Sequence, residues 1–84
     1  MYKAYFSKQT KKFLAKCDKS IFERFEQQLV MLIQDPYSQS LDIKKLKNHT
    51  CYRLRIGKYR FLYEVREQEL IIFFVKADSR GGVY

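Results

Sequence analysis

The chain has 84 residues, 46% of them hydrophobic, and a formal net charge of +8. That length makes residues 1–84 a single domain with a small core, since so short a chain buries only about 60–65% of the surface its unfolded form exposes. One His and two unclustered Cys cannot complete a zinc set, no apolar run approaches the ~18–20 residues of a membrane span, and the N-terminus lacks a signal-peptide pattern; no metal, cofactor or membrane is expected, and a reduced, cytoplasmic setting is.

Tyr2–Phe6 (YKAYF) predicts a short first strand. Ser7 then opens a basic helix over about Lys8–Cys17, with Phe13, Leu14 and Cys17 as its apolar residues, and Asp18-Lys19-Ser20 breaks it. In the second helix, Ser20 and Glu23 have capping-box spacing, in which each side chain satisfies a backbone N–H of the first turn. Ile21, Phe22, Phe25, Leu29, Leu32 and Ile33 follow as one apolar face, which reads as core. Asp35-Pro36 ends that helix, because the residue before Pro is pushed out of the α region. Residues 36–50 read as a polar connection. Strands are expected at Cys51–Ile56, Tyr59–Val65 and Leu70–Ala77, with residues 66–69 turning the second into the third. The last of these, LIIFFVKA, is nearly continuously apolar, as expected for a central strand covered on both faces. The order βααβββ implies an α+β fold: an antiparallel-rich twisted sheet with an αα-hairpin packed on one face.

The charge is uneven. Residues 1–42 hold seven Lys/Arg against five Asp/Glu, and residues 43–84 ten against four. From Lys44 to Arg60 there are seven basic residues and no acidic one. Such a field fits a polyanionic partner such as nucleic acid, or a solvated basic face. If Gly57-Lys58 is a two-residue type II′ loop, the register follows: Ile56 faces Tyr59, Arg55 faces Arg60, Leu54 faces Phe61, Arg53 faces Leu62 and Tyr52 faces Tyr63. Tyr52, Leu54, Ile56, Tyr59, Phe61 and Tyr63 then pack on the helices, while Arg53, Arg55, Arg60 and Leu62 share the other face. Opposed like charges are destabilising. Either an anion sits between Arg55 and Arg60, which suits the bidentate donors of arginine, or Glu64 on the same face neutralises them.

The runs LKNHTCYRLRIGKYRFLYEV and IIFFVKADSRGGVY resemble the RelE branch of the RelE/ParE toxin superfamily. Leu46, Lys47, Tyr52, Arg53, Leu54, Arg55, Gly57, Tyr59, Arg60, Tyr63, Glu64, Val65, Arg80, Val83 and Tyr84 occupy the pattern, and the match spans essentially the whole chain. The resemblance implies a ribosome-dependent mRNA endonuclease with a RelB-like antitoxin as partner. Such an enzyme cuts the A-site codon by 2′-hydroxyl attack, without a metal, leaving a 2′,3′-cyclic phosphate. It also implies roles: Arg60 and Arg80 as transition-state cations, Tyr84 as the residue that stacks on or orients the base, and Arg53 and Arg55 at positions that are lysines in the best-known members. Ser79 stands where several relatives carry His. Arginine does not give up its proton, so Glu64, His49 and the Tyr84 hydroxyl are the candidate proton acceptors. Lys44, Lys45, Lys47 and Lys58 are expected to hold ribosomal RNA phosphates. A ParE-type gyrase inhibitor, or a catalytically weak RNA-binding relative, would share this fold.

Overall fold

The computed structural model describes residues 1–47 and 50–79. The elements run β1 Lys3–Phe6, α1 Lys8–Lys16, α2 Lys19–Gln34, β2 Ile43–Lys45, β3 Tyr52–Ile56, β4 Tyr59–Arg66 and β5 Ile71–Ser79. The strands form one sheet in the order β1-β5-β4-β3-β2, parallel between β1 and β5 and antiparallel elsewhere. The expected α+β architecture is present with one strand more. That strand, β2, lies within the segment read as a polar connection and pairs with Tyr52, Arg53 and Leu54.

The helices cover one face of the sheet. Phe25 and Leu32 of α2 pack against Leu54, Ile56, Phe61, Tyr63, Ile72, Phe74 and Ala77. β5 has neighbours on both sides within the sheet, but only one of its faces is buried: Ile72 and Phe74 are inaccessible, while Ile71 and Phe73 are half-buried. Tyr5, opposite Phe73, is 50% exposed. The expectation of cover on both faces is thus corrected; the apolar run fills one face fully and the other partly.

Helix α1 starts as expected, with Ser7 as N-cap and its Oγ accepting from the Thr10 N–H at 3.1 Å. Helix α2 starts earlier than the capping box requires. Asp18 is the N-cap, without a side-chain cap bond, and Ser20 lies inside the first turn. The Phe22 N–H donates to the Asp18 carbonyl at 3.0 Å, so the hydrogen-bond ladder extends back past Ser20. Asp18 suits that end because its negative charge meets the positive pole of the helix. At the other end Asp35 is extended, as a residue before Pro must be.

β5 carries a bulge. Leu62 pairs with Lys76 and Tyr63 with Phe74, so Val75 is the extra residue. One extra residue inverts the side-chain alternation. Ile72 and Phe74 face the helices before it and Ala77 after it, which turns Lys76 and Asp78 to the open face. The start of α1 satisfies the disturbed backbone. Ser7 Oγ donates to the Val75 carbonyl at 2.6 Å, and Thr10 Oγ1 to the Phe74 carbonyl at 3.2 Å. The Gln9 amide pairs twice with Ala77, donating to its carbonyl at 2.6 Å and accepting from its N–H at 2.8 Å. β1 stops at Phe6, and Gln9 supplies the bonds a longer β1 would have made.

Among the described residues no helix is long and apolar enough to cross a membrane. Gly57 takes φ +60°, and Lys58 does not share the positive φ, which matches the type II′ loop expected there.

Two outcomes follow from this packing. Gln9→Ala removes both side-chain partners of Ala77 and should lower the unfolding free energy by about 1–2 kcal/mol, read by chemical denaturation. Tyr63 is fully buried, and its hydroxyl donates to the Pro36 carbonyl at 2.7 Å. Burial, followed by the neighbouring Tyr52, Tyr37 and Asp35, holds its phenol above the ordinary value. The folded state therefore keeps this proton longer than the unfolded chain. The associated stability is full below about pH 10 and declines as pH rises beyond it. Tyr63→Phe should cost about 1 kcal/mol at neutral pH and flatten that alkaline decline, which denaturation across pH 7–12 would measure.

Candidate functional site

The open face of the sheet is organised in rows that cross the strands. The β3–β4 register sets Arg55 opposite Arg60 and Arg53 opposite Leu62, as the Gly57 loop requires. On one side, the Arg55 N–H donates to the Asp42 carbonyl at 3.0 Å, which brings Asp42 alongside Arg55 just ahead of β2. On the other side, Asp78 stands opposite Arg60. One row thus reads Asp42, Arg55, Arg60, Asp78. The adjacent row reads Lys44, Arg53, Leu62, Lys76. The first has two arginines between two carboxylates, and the second has three cations around a leucine.

Asp42 is the carboxylate that meets the β3 arginines. Its Oδ1 accepts from Arg53 Nη2 at 2.8 Å and its Oδ2 from Arg55 Nε at 2.9 Å. The Arg53 side chain is 12% exposed, those of Arg55 and Asp42 50% and 46%. Glu64, the neutralising group considered from the sequence, instead approaches Arg66 at 3.7 Å. The Arg55–Asp42 pair, half-exposed on both sides, contributes about 0–1 kcal/mol. That is enough to offset the repulsion between two opposed arginines, a fraction of ~1 kcal/mol.

The predicted lysines divide. Lys44 is opposite Arg53 and shares its face. Lys45 is opposite Tyr52, on the helix-side face, with Nζ 5.9 Å from the centre of that ring. Lys58, in the loop, sits over Tyr59 at 5.7 Å and shares a concavity of about 640 Å³ with Phe13, Tyr59, Asp78 and Ser79. Lys47 is exposed beyond the end of β2. Ser79 is opposite Tyr59, whose ring meets Phe13 of α1, so Ser79 faces the helix side, away from Arg60. Arg80, Tyr84 and His49 lie outside the described residues.

Three residues of this face escaped the sequence reading. Asp42 was accessible through the alternation of Leu41, Asp42, Ile43 and Lys44, which marks a strand with Asp42 and Lys44 on its polar side. Lys76 and Asp78 carried no such signal, because their facing depends on the bulge.

Neither cysteine is set up for chemistry. Burial raises the Cys17 thiol. Burial, and then the charge of Glu64, raises that of Cys51. Both should stay protonated at neutral pH, so alkylation by iodoacetamide at pH 7 should run more slowly than with a small free thiol. Among the described residues no group of three or more His, Cys, Asp or Glu could hold a metal.

Residues 4–84 match the family model described as ParE toxin of type II toxin-antitoxin system, parDE. The protein named RelE1 in Methanocaldococcus jannaschii is 36% identical over 67 residues, covering 77% of this chain and 74% of that one. The archaeal RelE–RelB complex from Pyrococcus horikoshii OT3 contains a chain with TM-score 0.83 and 29% identity, each covered to 98%. A chain of the RelB–RelE antitoxin–toxin complex from Methanococcus jannaschii has TM-score 0.76 and 31% identity, covering 95% of this chain and 94% of that one. The family model bears the ParE name while these relatives bear the RelE name, and both belong to one superfamily. The family model over residues 4–84, the 36% identical RelE1 relative and the fold shared with the RelE chains make this chain a member of the RelE branch of the RelE/ParE superfamily of type II toxin–antitoxin toxins.

Proposed function

We propose that this toxin is a metal-independent endoribonuclease that enters the ribosomal A site, cleaves the mRNA codon there and so blocks translation. The observation that carries the reading is the convergence of Arg53, Arg55 and Arg60, with Lys44 and Lys76 beside them, on one open sheet face. Forked guanidiniums at this spacing match a phosphodiester. In the proposed reaction the 2′-oxygen attacks the adjacent phosphorus and passes its proton to water. The bond from phosphorus to the 5′-oxygen breaks and that oxygen takes a proton from water, leaving a 2′,3′-cyclic phosphate and a 5′-hydroxyl. Negative charge grows on the phosphorane, and Arg60 stabilises it with help from Arg53, Arg55 and Arg80. Tyr84 orients the base. Arg53 and Arg55 keep their protons and act as cations. The ribosome contributes by aligning the 2′-hydroxyl for attack.

A RelB-like antitoxin is the proposed protein partner, supported by structural neighbours that were solved as RelE–RelB complexes. The ParE name of the matching family model favours a second reading, inhibition of DNA gyrase by protein contact. That activity needs no cations converging on a phosphate.

Primer extension on translated mRNA after induction separates the two. Cuts at A-site codons are expected; inhibited supercoiling by purified gyrase with intact mRNA would favour the second reading. A donor that acts mainly in the transition state should matter more to rate than to binding. Arg60→Ala should bind programmed ribosomes nearly normally and cleave about 10²–10³-fold more slowly. Arg60→Lys should recover only part of the rate, since an ammonium cannot reproduce the fork. An unchanged rate in Arg60→Ala would place the chemistry elsewhere.

A further inference from the structure

We infer that Asp42 is a positioning residue for the arginine face, an inference that rests on the reading of that face as the site that holds RNA phosphate. Its carboxylate uses its two oxygens on two different guanidiniums, Oδ1 on Arg53 Nη2 and Oδ2 on Arg55 Nε. One group thereby fixes the relative setting of two cations that stand two residues apart on β3. Each guanidinium commits one nitrogen to Asp42; Arg55, half-exposed, keeps its two Nη groups for a further acceptor, whereas Arg53, whose Nε is buried, keeps Nη1.

Asp42 is itself held in place. Its carbonyl accepts the Arg55 N–H at 3.0 Å, and the next residue, Ile43, begins the pairing of β2 with β3. The carboxylate therefore approaches the arginines from a hydrogen-bonded strand end.

Stability alone does not account for the Arg55–Asp42 pair, because both side chains are about half-exposed and such a pair is screened by water and adds little to stability. Attraction for phosphate does not account for it either, because a negative charge on a phosphate-binding face weakens that attraction. Order does account for it. A long arginine side chain has much rotamer freedom to lose when it meets a ligand. A carboxylate that has already ordered two of them lowers that loss and sets their remaining donors at a fixed separation, as supporting groups do in preorganised sites.

The test compares Asp42→Asn and Asp42→Glu with the parental chain, and adds Asp42→Asn to an Arg53→Ala/Arg55→Ala background. Three readouts are taken: single-turnover cleavage on programmed ribosomes, ribosome binding, and ¹⁵N relaxation of the arginine Nε–H groups in the isolated protein. Asp42→Asn should cleave about 10–10²-fold more slowly at saturating enzyme. Its binding should be unchanged or slightly tighter, and its melting temperature close to parental. Asp42→Glu should recover most of the rate. The Arg55 Nε–H, which donates to Asp42, should be ordered in the parental chain and mobile in Asp42→Asn. In the double-arginine background Asp42→Asn should add no further loss, because a group that acts through Arg53 and Arg55 has nothing left to act on. Parental or faster cleavage by Asp42→Asn, an undiminished loss in the double-arginine background, or arginines equally ordered without the carboxylate would each overturn the inference. Parental cleavage by Arg53→Ala/Arg55→Ala would instead bring down the reading of the face, and the relaxation data would still decide whether Asp42 orders the pair.

Discussion

The register of β5 beyond Val75 decides what the open face of this protein carries. The extra residue sends Ala77 into the core and Lys76 and Asp78 outward. Without it, the alternation would bury a lysine and an aspartate against the helices, where desolvation would oppose folding. The start of α1 supports this stretch of β5, because Ser7, Gln9 and Thr10 bond the Phe74, Val75 and Ala77 carbonyls and the Ala77 N–H where β1 ends. The same contact docks α1 on the sheet, so one set of polar bonds sets both the layer packing and the composition of the far face.

On that far face the physics is a balance between repulsion and order. Arg55 and Arg60 are forced opposite each other by a tight turn, and the strands on either side bring a carboxylate to each end of the row. The face stays strongly basic because the neighbouring row adds Lys44, Arg53 and Lys76 without an acid. On the proposed reading, a polyanion would meet a face whose β3 arginines are already bound to one carboxylate, a condition under which binding costs less conformational entropy.

Much of this was legible in the chain. Gly57 and the period-two pattern around it determine a hairpin whose five residue pairs were readable in advance, and with them the facing of Arg53, Arg55 and Arg60. The αα-hairpin followed from the spacing of Phe25, Leu29 and Leu32, since helical periodicity is a local property. What stayed hidden is non-local. β2 has only three residues and owes its existence to β3. The bulge depends on Gln9 and Ala77 meeting across 68 positions. The S-x-x-E spacing at Ser20 suggested a helix start, but Asp18 offered another and the ladder continued back to it. Arg80, Tyr84 and His49 remain readings of the sequence, since they lie outside the described residues.

The parallel pairing of β1 with β5 places the first of the described strands beside the last of them. Contacts so distant along the chain form late, because the loop between them must close before they contribute anything. During translation β1 and the two helices leave the exit tunnel with no central strand to receive them. β5, which supplies Asp78, Lys76 and the seat of α1, emerges only after nearly all of the described chain has been made. A growing chain thus holds its basic hairpin without the sheet that would orient it. The full face can therefore assemble only after β5 itself has left the exit tunnel.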